Sequence, residues 1–159
     1  MTPLKFGIAF TFSTLNQGNC LVHIYKDGSV LISHGGTEMG QGLHTKMCQI
    51  CADVLGIPVS LVRIDETSTD KCANTSPTAA SSGSDLNGHA VYNAAQILKT
   101  RLAPFRVDKS KPWSQVCMDA YHARTDLSAH GYYCMNDVCW DWNNGVGKPF
   151  QYYVYGASG

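Results

Sequence analysis

The apolar positions repeat with a period near two in some stretches and near 3.6 in others, which divides the chain into strands and helices. Residues 5–13, Lys5-Phe6-Gly7-Ile8-Ala9-Phe10-Thr11-Phe12-Ser13, are rich in aromatic and β-branched side chains and predict a strand. Asn16-Gln17-Gly18-Asn19 reads as a turn, and Leu21-Val22-His23-Ile24-Tyr25 as a second strand. Asp27-Gly28 is a hairpin signal, and Val30-Leu31-Ile32-Ser33 returns as the third strand. Leu43, Met47, Ile50 and Val54 then recur at helical spacing, predicting a helix from about Gln41 to Leu55. Gly56 closes that helix and Pro58 prevents its continuation.

Leu61-Val62-Arg63-Ile64 predicts a short strand. Leu86, Ala90, Ala94, Ile97 and Arg101 carry a helical face. Ser76 followed by Pro77 fits an N-cap with proline at the first helical position. The expected helix therefore runs from about Pro77 to Leu102, with Thr78-Ala79-Ala80-Ser81 as its first turn and Gly83 and Gly88 weakening its propensity. Trp113, Val116, Cys117 and Ala120 share a face of a third helix ending near Arg124. Residues 127–133 read as a strand, 136–147 as a loop, and 150–155 as a last strand. Phe6, Phe10 and Phe12 are expected in the core, and Tyr152, Tyr153 and Tyr155 in sheet packing. The fold class is α+β, with antiparallel hairpin strands and two main helices packed on a mixed sheet.

Composition narrows the partners. The 159 residues suit one domain, are 44% hydrophobic and 15% charged, and sum to a formal net charge of zero. This composition recommends neither nucleic acid nor an anionic membrane as a partner. No apolar run approaches a membrane span, and Met1-Thr2-Pro3-Leu4-Lys5 lacks a signal-peptide layout, so a cytoplasmic protein is expected. Seven cysteines, an odd number, argue for reduced thiols, mostly in the core, over a disulfide framework. Cys48-x-x-Cys51 with Cys134 and Cys139 makes only a weak zinc pattern.

The chemistry gathers at His34-Gly35-Gly36-Thr37-Glu38-Met39-Gly40-Gln41-Gly42-Leu43-His44-Thr45. A glycine-rich loop feeding a helix start offers free N–H groups and a partial positive charge, so its default ligand is an anion. The Gln41 amide either contacts that ligand or bonds the loop's own backbone. Glu38 in such a loop reads as an orienting carboxylate. His34, His44 and Glu38 match no zinc spacing. Thr78-Ala79-Ala80-Ser81, with its small side chains, leaves a second set of backbone N–H groups open to a bulky anion. Ser81, Asp85 and His89 lie close in sequence, but helical spacing alone builds no hydrolase triad.

Two segments in this order resemble the molybdenum hydroxylases, the family of xanthine dehydrogenase and aldehyde oxidase. One is Gly35-Gly36-Thr37-Glu38-Met39-Gly40-Gln41-Gly42. The other runs from Thr67-Ser68-Thr69 through Asn74-Thr75-Ser76-Pro77-Thr78-Ala79-Ala80-Ser81 to Asp85-Leu86-Asn87-Gly88. Lys5-Phe6-Gly7-Ile8, Gly147-Lys148-Pro149-Phe150 and Tyr155-Gly156-Ala157 support the likeness, and the wording of the second segment is similar to the xanthine dehydrogenase branch.

The resemblance implies that residues 1–159 are part of the second molybdopterin-binding half of a larger molybdenum domain, truncated at both ends relative to the family. It implies a molybdenum-molybdopterin cofactor held at Gly40, Gln41 and Gly42 and at Thr78, Ala79, Ala80 and Ser81, with Ala80 at a recognised cofactor position. Gly83 stands where the family usually has a serine near the cofactor. The implied reaction is hydroxylation of a purine or aldehyde carbon with oxygen from water. FAD and 2Fe-2S clusters would be bound only by other parts of the complete enzyme, which the resemblance expects to be a homodimer. The family's glutamate base has no counterpart among these residues, so no catalytic residue is assigned and the chain alone is expected not to turn over purine. The rival expectation is a non-catalytic remnant or binding module that keeps the fold without the cofactor. Residues 134–146 depart from the family wording and add Trp140 and Trp142. If the cofactor reading holds, Gln41 and Thr78–Ser81 converge on one concave site.

Overall fold

The computed structural model describes residues 1–159. Its elements follow in the order β1 (Thr2–Ile8), β2 (Gln17–Ile24), β3 (Val30–His34), α1 (Leu43–Leu55), β4 (Val62–Ile64), α2 (Gly83–Leu102), α3 (Trp113–His122), β5 (Ser128–Cys134), β6 (Cys139–Asp141), β7 (Val146–Lys148) and β8 (Tyr152–Ser158). This is the expected α+β class. The main sheet has the strand order β4-β3-β2-β5, with β4 parallel to β3 and the other neighbours antiparallel.

Alternation along β2 buries Gly18, Cys20, Val22 and Ile24 on one face, as period-two patterning requires. Val30 and Ile32 of β3 join them in a core of 22 buried residues. Helix α1 adds Leu43, Met47, Cys51 and Leu55, and α2 adds Ala90, Val91, Ala94, Ala95, Leu98 and Leu102. Small alanines on α2 let it lie close to the sheet. At Gly131 of β5 the approach is limiting: a Cβ there would overlap the carbonyl oxygen of Ala90.

The β2–β3 hairpin turns as read. Asp27 Oδ1 accepts the Ser29 N–H at 2.9 Å and its hydroxyl at 2.7 Å. Trp113 at the start of α3 donates its indole N–H to the Gly28 carbonyl at 2.7 Å, fastening the turn to the third helix. The left-handed Gly56 (φ 63) ends α1, and the Arg106 guanidinium covers the exposed carbonyls of Leu55 and Gly56.

Five sequence expectations are corrected. Residues 16–19 do not form a free turn: Gln17 already pairs with Cys134 of β5, and Asn16 is buried, clasping the Phe10 N–H at 2.9 Å and carbonyl at 2.7 Å. The first strand ends at Ile8, because Ala9 turns the backbone at φ 104. Residues 136–147 are not all loop: β6 and β7 pair around Asp141, which accepts the N–H groups of Asn143 and Asn144. The second helix begins at Gly83, six residues later than Pro77. Finally, β8 pairs only with β1, in a two-stranded ribbon outside the main sheet. Phe6, Tyr152, Tyr153 and Tyr155 ride on that ribbon and are exposed, as is Phe12 in the turn after it.

All seven cysteines are free thiols. Cys20, Cys51, Cys72 and Cys117 are buried, and burial pushes the thiols of Cys20, Cys51 and Cys117 up to about 12. Cys48 and Cys134 are half-buried and Cys139 is exposed, so these are not core thiols. No three His, Cys, Asp or Glu side chains assemble as a metal site, at the cysteines or at His34, Glu38 and His44.

Gly131→Ala is expected to cost about 3 kcal/mol or more, since backbone on α2 must move to admit the methyl. Urea unfolding of the variant against the parent measures this directly.

Candidate functional site

The glycine loop leaves β3 at His34, which is fully buried. The Gly36 N–H donates to His34 Nδ1 at 3.0 Å, so that nitrogen carries no proton. The proton sits on Nε2, which donates to His44 Nδ1 at 2.9 Å across the loop. Burial first, and then the neighbouring His44, hold the His34 imidazole down to about 4, while Glu38 acts the other way. His34 is therefore a neutral structural latch joining β3 to α1.

Glu38 fills the role left open at the start of α1. The N-cap there is Gly42 at φ 76, which has no side chain to cap with. The Glu38 carboxylate instead accepts N–H groups from His44 at 2.9 Å, Gly42 at 3.0 Å and Gly40 at 2.9 Å. The His44 bond leads in holding its carboxyl below the usual range. Gln41 is also used by the loop: its Oε1 accepts the Met39 N–H at 2.6 Å and its Nε2 donates to the Thr37 carbonyl at 2.9 Å.

The facing wall is the segment before α2. Its backbone is left-handed at Ala80 (φ 52) and Ser81 (φ 54), which non-glycine residues adopt at a cost. These two residues break the expected helical turn over Thr78–Ser81. The helix starts afresh from Ser82, whose carbonyl accepts the Leu86 N–H at 2.9 Å. The Ala80 carbonyl accepts the N–H of Ala9, itself left-handed, at 3.2 Å. The two walls meet where the Thr37 N–H donates to Thr78 Oγ1 at 2.8 Å.

Between them lies a cavity of about 410 Å³ lined by Met39, Gln41, Leu43, Lys46, Thr78, Ala79, Ala80, Ser81, Gly83 and Ser84. Gln41 and Thr78–Ser81 thus converge on one concavity, and Gly83 lines it too. Gly40 and Gly42 do not line it; they shape the loop through positive φ values of 94 and 76. The N–H groups of Thr78, Ala80, Ser81, Gly83 and Ser84 engage no acceptor within the chain. A larger hollow of about 670 Å³ lies over Tyr121, His122, Arg124, Thr125 and Asp126, open to the surface and free of both motifs.

Lys46 was not singled out by sequence reasoning. It is the one charged residue lining the cavity, and its ammonium donates to Ser84 Oγ at 3.1 Å. A signal was there: a lysine one turn into a helix opposes the macrodipole, which favours anions at that end. Such a placement suits a position beside a bound anion. The hydrolase reading of residues 81–89 gains no geometry. His89 bonds the Asp85 backbone carbonyl at 2.8 Å and stacks on Tyr133, while the Asp85 carboxylate accepts the Tyr152 hydroxyl at 2.9 Å.

Small side chains, unengaged amides and one ammonium around a roomy cavity are the donor set of a site for a bulky anionic group. The comparisons with known proteins name the family that carries this fold. The chain belongs to the molybdopterin cofactor-binding domain family, whose model matches residues 1–159. Molybdenum-molybdopterin is accordingly its cofactor class. The chain is 52% identical over 157 residues to xanthine dehydrogenase/oxidase of Rattus norvegicus, and 50% identical over 159 residues to xanthine dehydrogenase of Oryza sativa subsp. japonica. These alignments cover 98% and 99% of this chain but 12% of each relative. The resemblance read from the two motifs therefore holds over nearly the whole chain.

Solved structures repeat the fold. Aldehyde oxidoreductase from Desulfovibrio gigas matches with a TM-score of 0.76 over 97% of this chain and 17% of its own, at 17% identity. Quinoline 2-oxidoreductase from Pseudomonas putida 86 matches with a TM-score of 0.71 over 85% of this chain and 22% of its own, at 23% identity. No helix of the structure is long and apolar enough to cross a membrane.

Two outcomes check the loop. The unfolded chain takes up a proton at His34 near the usual value of 6.5, and the folded chain only near 4. His34 therefore contributes full stability above pH 6.5, loses it as pH falls through that window, and changes little below pH 4. The loss is about 3 kcal/mol at most. Urea midpoints at pH 7, 5.5 and 4 measure the slope, which flattens in His34→Asn. In Glu38→Ala, hydrogen exchange of the Gly40, Gly42 and His44 amides accelerates at least about tenfold, while the core of α2 is unaffected.

Proposed function

We propose that this chain holds the molybdopterin cofactor between its glycine loop and the Thr78–Ser81 segment, as one part of a larger molybdenum domain in a xanthine dehydrogenase-like oxidoreductase. The observation that carries the reading is the 410 Å³ cavity lined by Gln41 and Lys46 on one wall and, on the other, by Thr78, Ala80, Ser81, Gly83 and Ser84, whose N–H groups engage no acceptor within the chain. In this reading the amides of Thr78, Ala80, Ser81, Gly83 and Ser84 donate to the anionic and polar edge of the cofactor. Lys46 supplies the compensating charge. Gly40 and Gly42 act at one remove, by giving the loop its bend, and Gln41 by bracing the loop with its amide side chain and offering its free N–H to the cavity.

When bound, the cofactor supplies the two-electron oxidant for hydroxylating a purine or aldehyde carbon with oxygen from water. The protein's task here is positional. Rigid amides aimed at a fixed anion need no reorganisation when the charge on that group changes. The Glu38 carboxylate and the His34–His44 pair keep the loop stiff. The 12% share of each relative fits a division of labour in which FAD, iron–sulfur clusters and the proton-abstracting base reside elsewhere in a longer enzyme, which the family resemblance alone would make a homodimer. The xanthine dehydrogenase names of the relatives favour purine over aldehyde as substrate. Free cysteines throughout favour the cytoplasm as its place of work.

The test is molybdenum and pterin content after expression in a cofactor-producing host. Lys46→Ala is expected to lower occupancy about 10- to 100-fold at limiting cofactor, the worth of one charged hydrogen bond, and Lys46→Arg to restore most of it. A parent protein free of molybdenum and pterin would support the non-catalytic rival. Occupancy indifferent to Lys46→Ala would remove the cavity from the reading.

A further inference from the structure

Asn19 lies in β2 opposite Tyr132 of β5, and its side chain reaches the segment before α2. There Nδ2 donates to the Ala73 carbonyl at 2.7 Å. The other end of the amide has no such partner. Asn19 Oδ1 is shut away from solvent and accepts no hydrogen bond from the chain, and it is the one buried side-chain oxygen or nitrogen of which this is true. The bond to Ala73 fixes which way the amide points, because a flip would set Oδ1 against the Ala73 carbonyl oxygen. Enclosed acceptors are costly to leave unpaired, and folded proteins pair them with their own donors or with ordered water.

Asn19 lines a cavity of about 10 Å³ whose other walls include Gly35, Thr75, Ser76, Thr78 and Gly83. That is room for one water molecule. The N–H groups of Thr75, Ser76 and Thr78 engage no acceptor within the chain. The hydroxyls of the same three residues donate to nothing within it, and that of Thr78 only accepts, from the Thr37 N–H. An orphaned acceptor and several free donors around one small space call for a ligand that both donates and accepts. A cation would meet the N–H groups and an anion the Asn19 oxygen, whereas water suits both. We propose that one water molecule is bound here as a fixed part of the fold, donating to Asn19 Oδ1 and bonding the Thr75–Thr78 segment. β2 then holds that segment at two points, directly at Ala73 and through the water closer to the larger cavity. Thr78 and Gly83 line both spaces, so the water sits behind the wall whose free amides face the larger one. The site depends on Asn19 and this segment alone and holds whether or not a cofactor binds.

The experiment pairs a high-resolution crystal structure of the 159-residue chain with nuclear Overhauser spectra of the same chain in water. The crystal is expected to show a solvent peak about 2.7 to 3.2 Å from Asn19 Oδ1 and equally close to a polar atom of Thr75, Ser76 or Thr78. In solution, cross peaks of the sign given by a long-lived water are expected at the amide of at least one of those three residues. In Asn19→Leu, which is close in size and has no acceptor, both signals are expected to vanish and exchange of the three amides to quicken at least about fivefold. Asn19→Asp keeps an acceptor but gives up the bond to Ala73, and it is expected to keep the water, which separates the two holds. The proposal is overturned by a parent that lacks either the peak or the cross peaks, or by a peak that persists in Asn19→Leu. A loss of water in Asn19→Asp as complete as in Asn19→Leu overturns it too, since the Ala73 bond and not the orphaned oxygen would then make the site. So does a shell of about six or more oxygen atoms at about 2.3 to 2.6 Å, which would make the occupant a cation.

Discussion

The Glu38 carboxylate collects three backbone N–H groups, from Gly40, Gly42 and His44, and the site depends on that one gathering. A loop of mobile glycines loses more entropy on ordering than any other kind, so it needs a strong internal tie. An ionised acceptor bonded by several amides is such a tie, and it also complements the positive end of α1. With Glu38 engaged, Gln41 can brace the loop across Thr37 and Met39, and His34 can latch it to the sheet.

The second wall is held by strain of a different kind. Ala80 and Ser81 both lie in the left-handed region, and so does Ala9, whose N–H reaches the Ala80 carbonyl. Three non-glycine residues at positive φ within one contact are over-determined by their surroundings, here by the Thr37–Thr78 bond and the restart of the helix at Ser82. The effect is to turn a row of amides outward into the cavity at a place where a regular helix would have hidden most of them. Pre-set donors of this sort suit a large anionic cofactor better than a mobile substrate.

The layout fits the proposed place of this unit within a larger enzyme. Its core lies between α1, α2 and the main sheet, while the cradle sits at the starts of both helices and the β1–β8 ribbon projects from the cradle's edge. The structural matches at 17–23% identity show that this arrangement of backbone survives wide change in side chains.

Much of this was legible in the amino-acid order alone. Alternation in residues 20–24 and 30–34, the Asp27-Gly28 turn and the 3.6 period of α1 gave strands, hairpin and helix, because each is a local property of the chain. The local chemistry of the two loops pointed to a bulky anion, and only their resemblance to the molybdenum hydroxylases named the cofactor class. Tertiary structure alone decided the rest. Pro77 promised a helix start, but the long-range bonds of Thr78 and Ala80 moved it to Gly83. Residues 16–19 looked like a turn until the clasp of Asn16 on Phe10 and the pairing of Gln17 with Cys134 made Gln17 the start of a central strand. Lys46 was one lysine among several on a helix surface, and only the approach of Ser84, 38 positions away, put it in the cavity. Contacts between residues far apart in sequence leave no period to read, and the cradle is made of such contacts.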